Sequence, residues 1–180
     1  MSTPEATLMM PAAPVPGDPA SPIRVLSVEV EDKPGVLFRV CGMVQRRGFN
    51  IEGLSVGRAE TPGRSRMTLT VHAGHAEVDQ VEKQLSRLIE VISIEDLTEH
   101  DHLRRELALF RLTVTGETRR RAIETAARAG ASVVDVTPDE IVIEVAGDPG
   151  VIEGLRDALG EFGIAELARS GPIAIRTRNE

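Results

Sequence analysis

Apolar residues recur with two different periods along this chain, and the order of those periods predicts its architecture. From Ile23 to Glu31 the alternation suits a strand, with Val28 and Val30 on one face. Pro34 then stands where the first helical residue tolerates a missing N–H. Val36, Leu37, Val40, Cys41 and Val44 follow at helical spacing, until Gly48 stops the run. Asn50 to Ala59 reads as a second strand carrying Ile51, Leu54 and Val56. Pro62-Gly63 makes the turn to a third strand, along which Met67, Leu69 and Val71 alternate. A helix from about Ala76 to Glu90 aligns Val78, Val81, Leu85 and Leu88 on one stripe, and Val91 to Leu97 forms the fourth strand.

This β-α-β-β-α-β order is the split βαβ plan of ferredoxin-like domains, a four-stranded antiparallel sheet with both helices on one face. The other face, or an edge strand, is expected to serve association. Thr98 to Leu107 reads as a charged connector, and the pattern then repeats. Phe110 to Thr115 is a strand, and Glu117 to Gly130 a helix with Ile123, Ala126 and Ala127 inward. Ser132 to Val136 and Glu140 to Val145 form a hairpin through Pro138-Asp139. Pro149 to Phe162 is a helix with Ile152, Leu155, Leu159 and Phe162 on its stripe, Ile164 to Ala168 a strand, and Ile173 to Ile175 a short edge. The expected fold class is therefore α+β, with two ferredoxin-like domains at 23–98 and 108–178 joined by a linker at 99–107. Residues 1–22 hold six of the eleven prolines and are expected to be a disordered tail, which offers an arm for a partner at most.

Composition narrows the function. A net charge of −7 argues against nucleic acid, whose binders present a basic face. Four Phe with no Tyr and no Trp leave little for base stacking or a large aromatic-lined pocket, so any ligand should be small. Cys41 is the single cysteine, which excludes an intrachain disulfide and a thiolate metal cluster. No apolar run approaches the roughly 20 residues that cross a bilayer, and the N-terminus lacks the basic and apolar regions of a secretory signal. A cytoplasmic protein without membrane partners is expected.

No set of residues suggests catalysis. Gly-rich phosphate loops, Gly-x-Ser-x-Gly and His-Glu-x-x-His are all absent. His100-Asp101-His102 could offer imidazole and carboxylate to a metal, but with no second ligand cluster it reads as a solvated linker, so no metal site is assigned. Cys41 falls on an apolar helix stripe, where cysteine behaves as a small hydrophobe.

Asp32-Lys33-Pro34-Gly35-Val36-Leu37 differs, because a strand ends there and a helix opens. The first-turn N–H groups of Gly35, Val36 and Leu37 carry partial positive charge, a natural seat for a carboxylate. Gly35 lets a ligand approach the backbone, and Asp32 could take an ammonium group. Together they would recognise the zwitterion of an α-amino acid, and Val36, Leu37 and Ile51 would favour an aliphatic side chain. Asn50 could add an amide donor and acceptor. In the alternative reading Asp32 caps the helix, Gly35 is a packing residue and Asn50 a turn residue.

On this frame, Asp32-Lys-Pro-Gly-Val-Leu37 resembles the ACT domain, a small-molecule sensor that usually binds amino acids. The run Leu26–Leu37, Gln45-Arg-Arg-Gly-Phe-Asn-Ile-Glu52, Ser65-Arg-Met-Thr68, Val81-Glu-Lys-Gln-Leu85, Val134-Asp-Val-Thr-Pro138 and Glu166-Leu-Ala-Arg-Ser-Gly171 together resemble the small regulatory subunit of acetolactate synthase. The resemblance spans about Ile23 to Ile175. It implies a subunit with no catalytic residue and no cofactor of its own. Its partner would be a catalytic large subunit carrying thiamine diphosphate, magnesium and usually FAD, which condenses two pyruvates or pyruvate with 2-oxobutyrate in branched-chain amino-acid synthesis. It further implies activation of that subunit, feedback inhibition by valine, leucine or isoleucine, and homodimerisation through the ACT domains. The effector would sit between Asp32, Gly35, Val36 and Leu37 of one chain and Asn50 and Ile51 of the other. Asp32 stands where the family commonly has Asn, and the proline-rich tail is a second departure. Outside this family, the same features fit a free-standing amino-acid-binding regulator of another enzyme or of transcription.

Overall fold

The computed structural model describes residues 21–177, apart from the side chains of His75 and Ala76. The expected tail at 1–22 thus lies almost wholly outside the described residues. The first unit runs β1 (Ile23–Glu31), α1 (Val36–Arg46), β2 (Ile51–Arg58), β3 (Arg64–His72), α2 (His75–Leu85) and β4 (Val91–Asp96). Its antiparallel sheet has the order β2-β3-β1-β4. Val36, Val40 and Val44 face the sheet at four-residue intervals. They meet Leu26, Val28 and Val30 of β1, Met67, Leu69 and Val71 of β3, and Val78, Val81 and Leu85 of α2.

The second unit repeats the plan with β5 (His102–Thr113), α3 (Gly116–Arg128), β6 (Ser132–Val136), β7 (Glu140–Gly147), α4 (Pro149–Leu159) and β8 (Ile164–Arg169), followed by β9 (Ile173–Arg176). Its sheet order, β6-β7-β5-β8, matches that of the first. Phe110, Leu112, Ile141, Ile143, Ile152, Leu155 and Leu159 fill its core. Two ferredoxin-like layers are therefore present, as the periodicity implies.

Three segments depart from the sequence expectation. The charged connector is largely strand: after a 3-10 turn at Leu97–Glu99, residues His102–Leu107 form the first half of β5. Charge conceals this, because Arg104 and Glu106 face a cleft between the units while Leu103 and Leu107 face outward. Helix α2 ends at Leu85, and the chain reaches β4 through successive tight turns at Leu88 and Val91. In α3 the inward residues are Ala122 and Ala126, while Ile123 and Ala127 are exposed. Two alanines one turn apart let this helix lie close to the sheet, and Ile123 is left on its flank.

The units are stitched rather than merely joined. Residues His102–Arg105 of β5 pair with β9, and Glu106–Thr113 pair with β7. β9 lies on the helix-free face of the first sheet, where Ala174 packs against Val25 and Leu97. That face, expected to be open for association, is thus partly covered from within the same chain. The contact is tight: a Cβ on Gly53 would lie 2.8 Å from Pro172 Cδ, and one on Gly171 would lie 2.8 Å from the Leu54 carbonyl oxygen. Gly171 also has φ +75. Gly171→Val is expected to cost about 1–3 kcal/mol through strain and overpacking, read from the urea midpoint.

Candidate functional site

The N-terminus of α1 is built differently from the sequence expectation. Pro34 precedes the helix, and Gly35 occupies the N-cap with φ 83 and ψ −7, a left-handed conformation that suits glycine. Asp32 makes no cap: its side chain is exposed, and its N–H donates to the Gly63 carbonyl at 2.8 Å. The helix-capping alternative for Asp32 is thereby removed. Val36 N–H is taken by the Lys33 carbonyl at 3.3 Å, and Arg39 N–H by Gly35 at 3.1 Å. Among the described residues, the N–H groups of Gly35, Leu37 and Phe38 have no hydrogen-bond partner. Such groups at a helix start are donors awaiting an acceptor.

The side chains around this turn divide by role. Val36 is buried in the first core, so it anchors the loop rather than lining it. Leu37 is half-exposed and Phe38 almost fully so, and both can meet something apolar. Lys33 pairs with Glu31 at 2.7 Å and Arg39 with Glu90 at 2.8 Å. The Glu31 carboxylate, by hydrogen bond and charge, holds the Lys33 ammonium above its usual pKa. Among the described residues, both cations that flank this turn, Lys33 and Arg39, are thus engaged by carboxylates other than Asp32.

Asn50 and Ile51 lie elsewhere. Asn50 is exposed, and Ile51 is half-buried against the first core at the start of β2. An 11-residue helix, roughly 16 Å long, separates them from Gly35, at the opposite end of the sheet. One chain does not bring the two groups together. β2 is an edge strand, however, and its outer side is unpaired among the described residues. A two-fold antiparallel pairing of β2 with β2 would set the start of one strand beside the end of the other.

Cys41 is half-buried, and desolvation pushes its thiol pKa up, away from the reactive thiolate. His102 Nδ1 lies 2.9 Å from the His100 carbonyl oxygen, and among the described residues no three His, Cys, Asp or Glu side chains converge on a metal-sized site.

One feature has only half a signal in the sequence. A cleft of about 530 Å³ opens between the units, lined by Glu52, Leu54, Arg104, Glu106, Glu153 and Arg169 among others. On its wall Arg169 grips Glu106 in a bidentate pair, Nε–Oε1 2.8 Å and Nη2–Oε2 2.7 Å, and reaches Glu153 at 2.6 Å. The Arg169 guanidinium, chiefly by hydrogen bonding, holds the buried Glu106 carboxyl below the usual carboxylate range. Arg169-Ser-Gly171 is visible as a motif, but its partner Glu106 sits in a segment that reads as linker.

Family comparisons agree with this two-unit architecture. Residues 26–93 match a family model described as an AHAS small subunit-like ACT domain, and residues 105–178 one described as the small subunit of acetolactate synthase. The acetolactate synthase small subunit of Mycobacterium bovis is 44% identical over 152 residues, 84% of this chain and 90% of that protein. The chain belongs to the acetolactate synthase small-subunit family. A probable acetolactate synthase small subunit of Archaeoglobus fulgidus is 43% identical over 87% of this chain and 98% of its own length. The crystal structure of the acetolactate synthase small subunit from Thermotoga maritima superposes with a TM-score of 0.81 at 30% identity, covering 88% of this chain and 99% of that one. Membership makes this chain a regulatory subunit with an N-terminal ACT domain. Among the described residues, no helix is long and apolar enough to cross a membrane.

Proposed function

We propose that this regulatory subunit raises the activity of a catalytic large subunit of acetolactate synthase and subjects it to feedback inhibition by valine or another branched-chain amino acid. The observation that carries the effector reading is the α1 N-terminus, with its exposed, unpartnered N–H groups and Asp32 beside them. Those donors take the effector carboxylate, Asp32 its ammonium group, and Leu37 its aliphatic side chain. Two ACT domains joined through β2 complete the site with Asn50 and Ile51 of the second copy, so the binding unit is a homodimer. Thiamine diphosphate, magnesium and FAD belong to the catalytic subunit, and the complex works in the cytoplasm.

Purified chain mixed with its catalytic subunit should increase acetolactate formation, and valine should reverse the increase. No stimulation and no co-elution would sink the reading. Asn50→Ala is expected to weaken valine binding by about 1–3 kcal/mol, roughly 5- to 150-fold. An unchanged affinity by calorimetry removes Asn50 from the site.

A further inference from the structure

The effector reading leaves open how an amino acid held at β2 reaches the rest of the subunit, and the Arg169-Ser170-Gly171 motif has no role in it. Both questions meet at one contact. Two residues beyond Ile51, β2 resumes its pairing at Gly53 after a register shift. The next residues, Leu54 and Ser55, lie against Gly171 and Pro172 of the second unit. The Ser55 hydroxyl donates to the Pro172 carbonyl. The contact itself is close: a Cβ on Gly53 would lie 2.7 Å from Thr70 Oγ1 and 2.8 Å from Pro172 Cδ, and one on Gly171 would meet the Leu54 backbone, although these residues also border the cleft.

From Pro172 the contacts run directly into β5. Ser170 is fastened to Leu107 twice: its N–H donates to the Leu107 carbonyl at 3.0 Å, and its hydroxyl accepts from the Leu107 N–H at 3.0 Å. Arg169 holds Glu106 one residue earlier in the same strand. β5 is the central strand of the second sheet, flanked by β7 and β8.

We infer that the Gly53–Ser55 and Ser170–Pro172 seam couples effector occupancy at β2 to the second unit, with Ser55 and Ser170 as positioning residues for feedback inhibition rather than effector ligands. The inference rests on the effector reading above. An effector shifts an equilibrium only through a difference in contacts between two states. An amino acid pressed against Asn50 and Ile51 favours one setting of β2. Where Gly53 and Leu54 touch Pro172 and Gly171 there is no room for an added atom, so a shift of β2 toward them is passed on rather than absorbed at the contact. Pro172 and Gly171 therefore follow β2, and the double Ser170–Leu107 link carries the movement into β5. Motif residues far from the effector acquire a purpose, because a chain lacking them could bind the effector without responding to it.

The test uses the full chain with its catalytic subunit and reads two quantities, valine affinity by calorimetry and the fraction of stimulated activity that saturating valine removes. Ser55→Ala and Ser170→Ala delete one hydroxyl each at half-buried and exposed positions. Both variants are expected to bind valine within about twofold of wild type, while saturating valine removes less than a third of the activity it removes from wild type. Ser55→Thr, which keeps the hydroxyl, should restore the response. Undiminished inhibition in both alanine variants overturns the inference. So does a fall in affinity that accounts for the lost inhibition, because the residues would then belong to the binding site. If the wild-type chain binds none of valine, leucine and isoleucine, the effector reading fails first and the coupling falls with it. Failure confined to the variants concerns the seam alone.

Discussion

Gly35→Asp is expected to raise the valine dissociation constant at least a hundredfold, about 2.7 kcal/mol, while stimulation of the catalytic subunit persists. Three effects act together. The new carboxylate stands at an N-cap position, where aspartate readily accepts from the N–H groups of the first turn. It would occupy the Leu37 and Phe38 donors that the effector carboxylate requires. It also adds a second negative charge beside Asp32. The third effect is steric, since a Cβ on Gly35 would lie 3.2 Å from Arg39 Nη1 in a backbone at φ +83. That conformation costs an L-residue about 1–2 kcal/mol, which the core behind Val36 can absorb. Gly35→Ala carries the strain without the charge and should lose less affinity than the aspartate variant. Wild-type valine affinity in Gly35→Asp would show that the effector does not use the start of α1.

Arg169→Met is expected to destabilise the second unit by about 2–4 kcal/mol at neutral pH. Its guanidinium is the bidentate partner of Glu106, whose side chain is 4% exposed, so removal strands a buried carboxylate. The figure is set about 1 kcal/mol lower than the roughly 3–5 kcal/mol of a fully enclosed pair because the Arg169 side chain is 33% exposed. The pH dependence has a definite sign. The folded-state pKa of Glu106 is depressed, so its contribution is complete above the unfolded carboxylate value near 4.3 and is lost as pH falls through the folded one. The gap between wild type and Arg169→Met should thus be widest above about pH 5 and shrink in more acid solution, where Glu106 is protonated and needs no cation. Urea titrations at several pH values measure it directly. A gap independent of pH would separate Arg169's contribution from the Glu106 charge.

Local periodicity is a good guide where an element packs on its own unit's core. α1 buries Val36, Val40 and Val44 against Leu26, Val28 and Val30 of β1 and Met67, Leu69 and Val71 of β3, and the elements of residues 23–72 fall where the periods place them. It failed where burial comes from another unit. In His102–Leu107, Arg104 and Glu106 face the cleft between the units while Leu103, Arg105 and Leu107 face outward, an inversion that only the other unit's surface explains. The turn that opens α1 is legible in the sequence because Pro34-Gly35 marks a helix start. Its hydrogen bonding is not, because the left-handed setting of Gly35 and the Gly63 tether of Asp32 depend on the hairpin beyond β2. Ile123 lies outside the core for a related reason: size favours it from sequence, but the buried positions of α3 are the alanines Ala122 and Ala126.

Because β9 covers the first sheet and pairs with the strand that opens the second, neither unit is a detachable module. An ACT domain excised at residue 98 would leave its cover behind, with Val25, Thr68 and Leu97 newly wet. Anyone transplanting this ACT domain must carry residues 102–105 and 171–176 along with it.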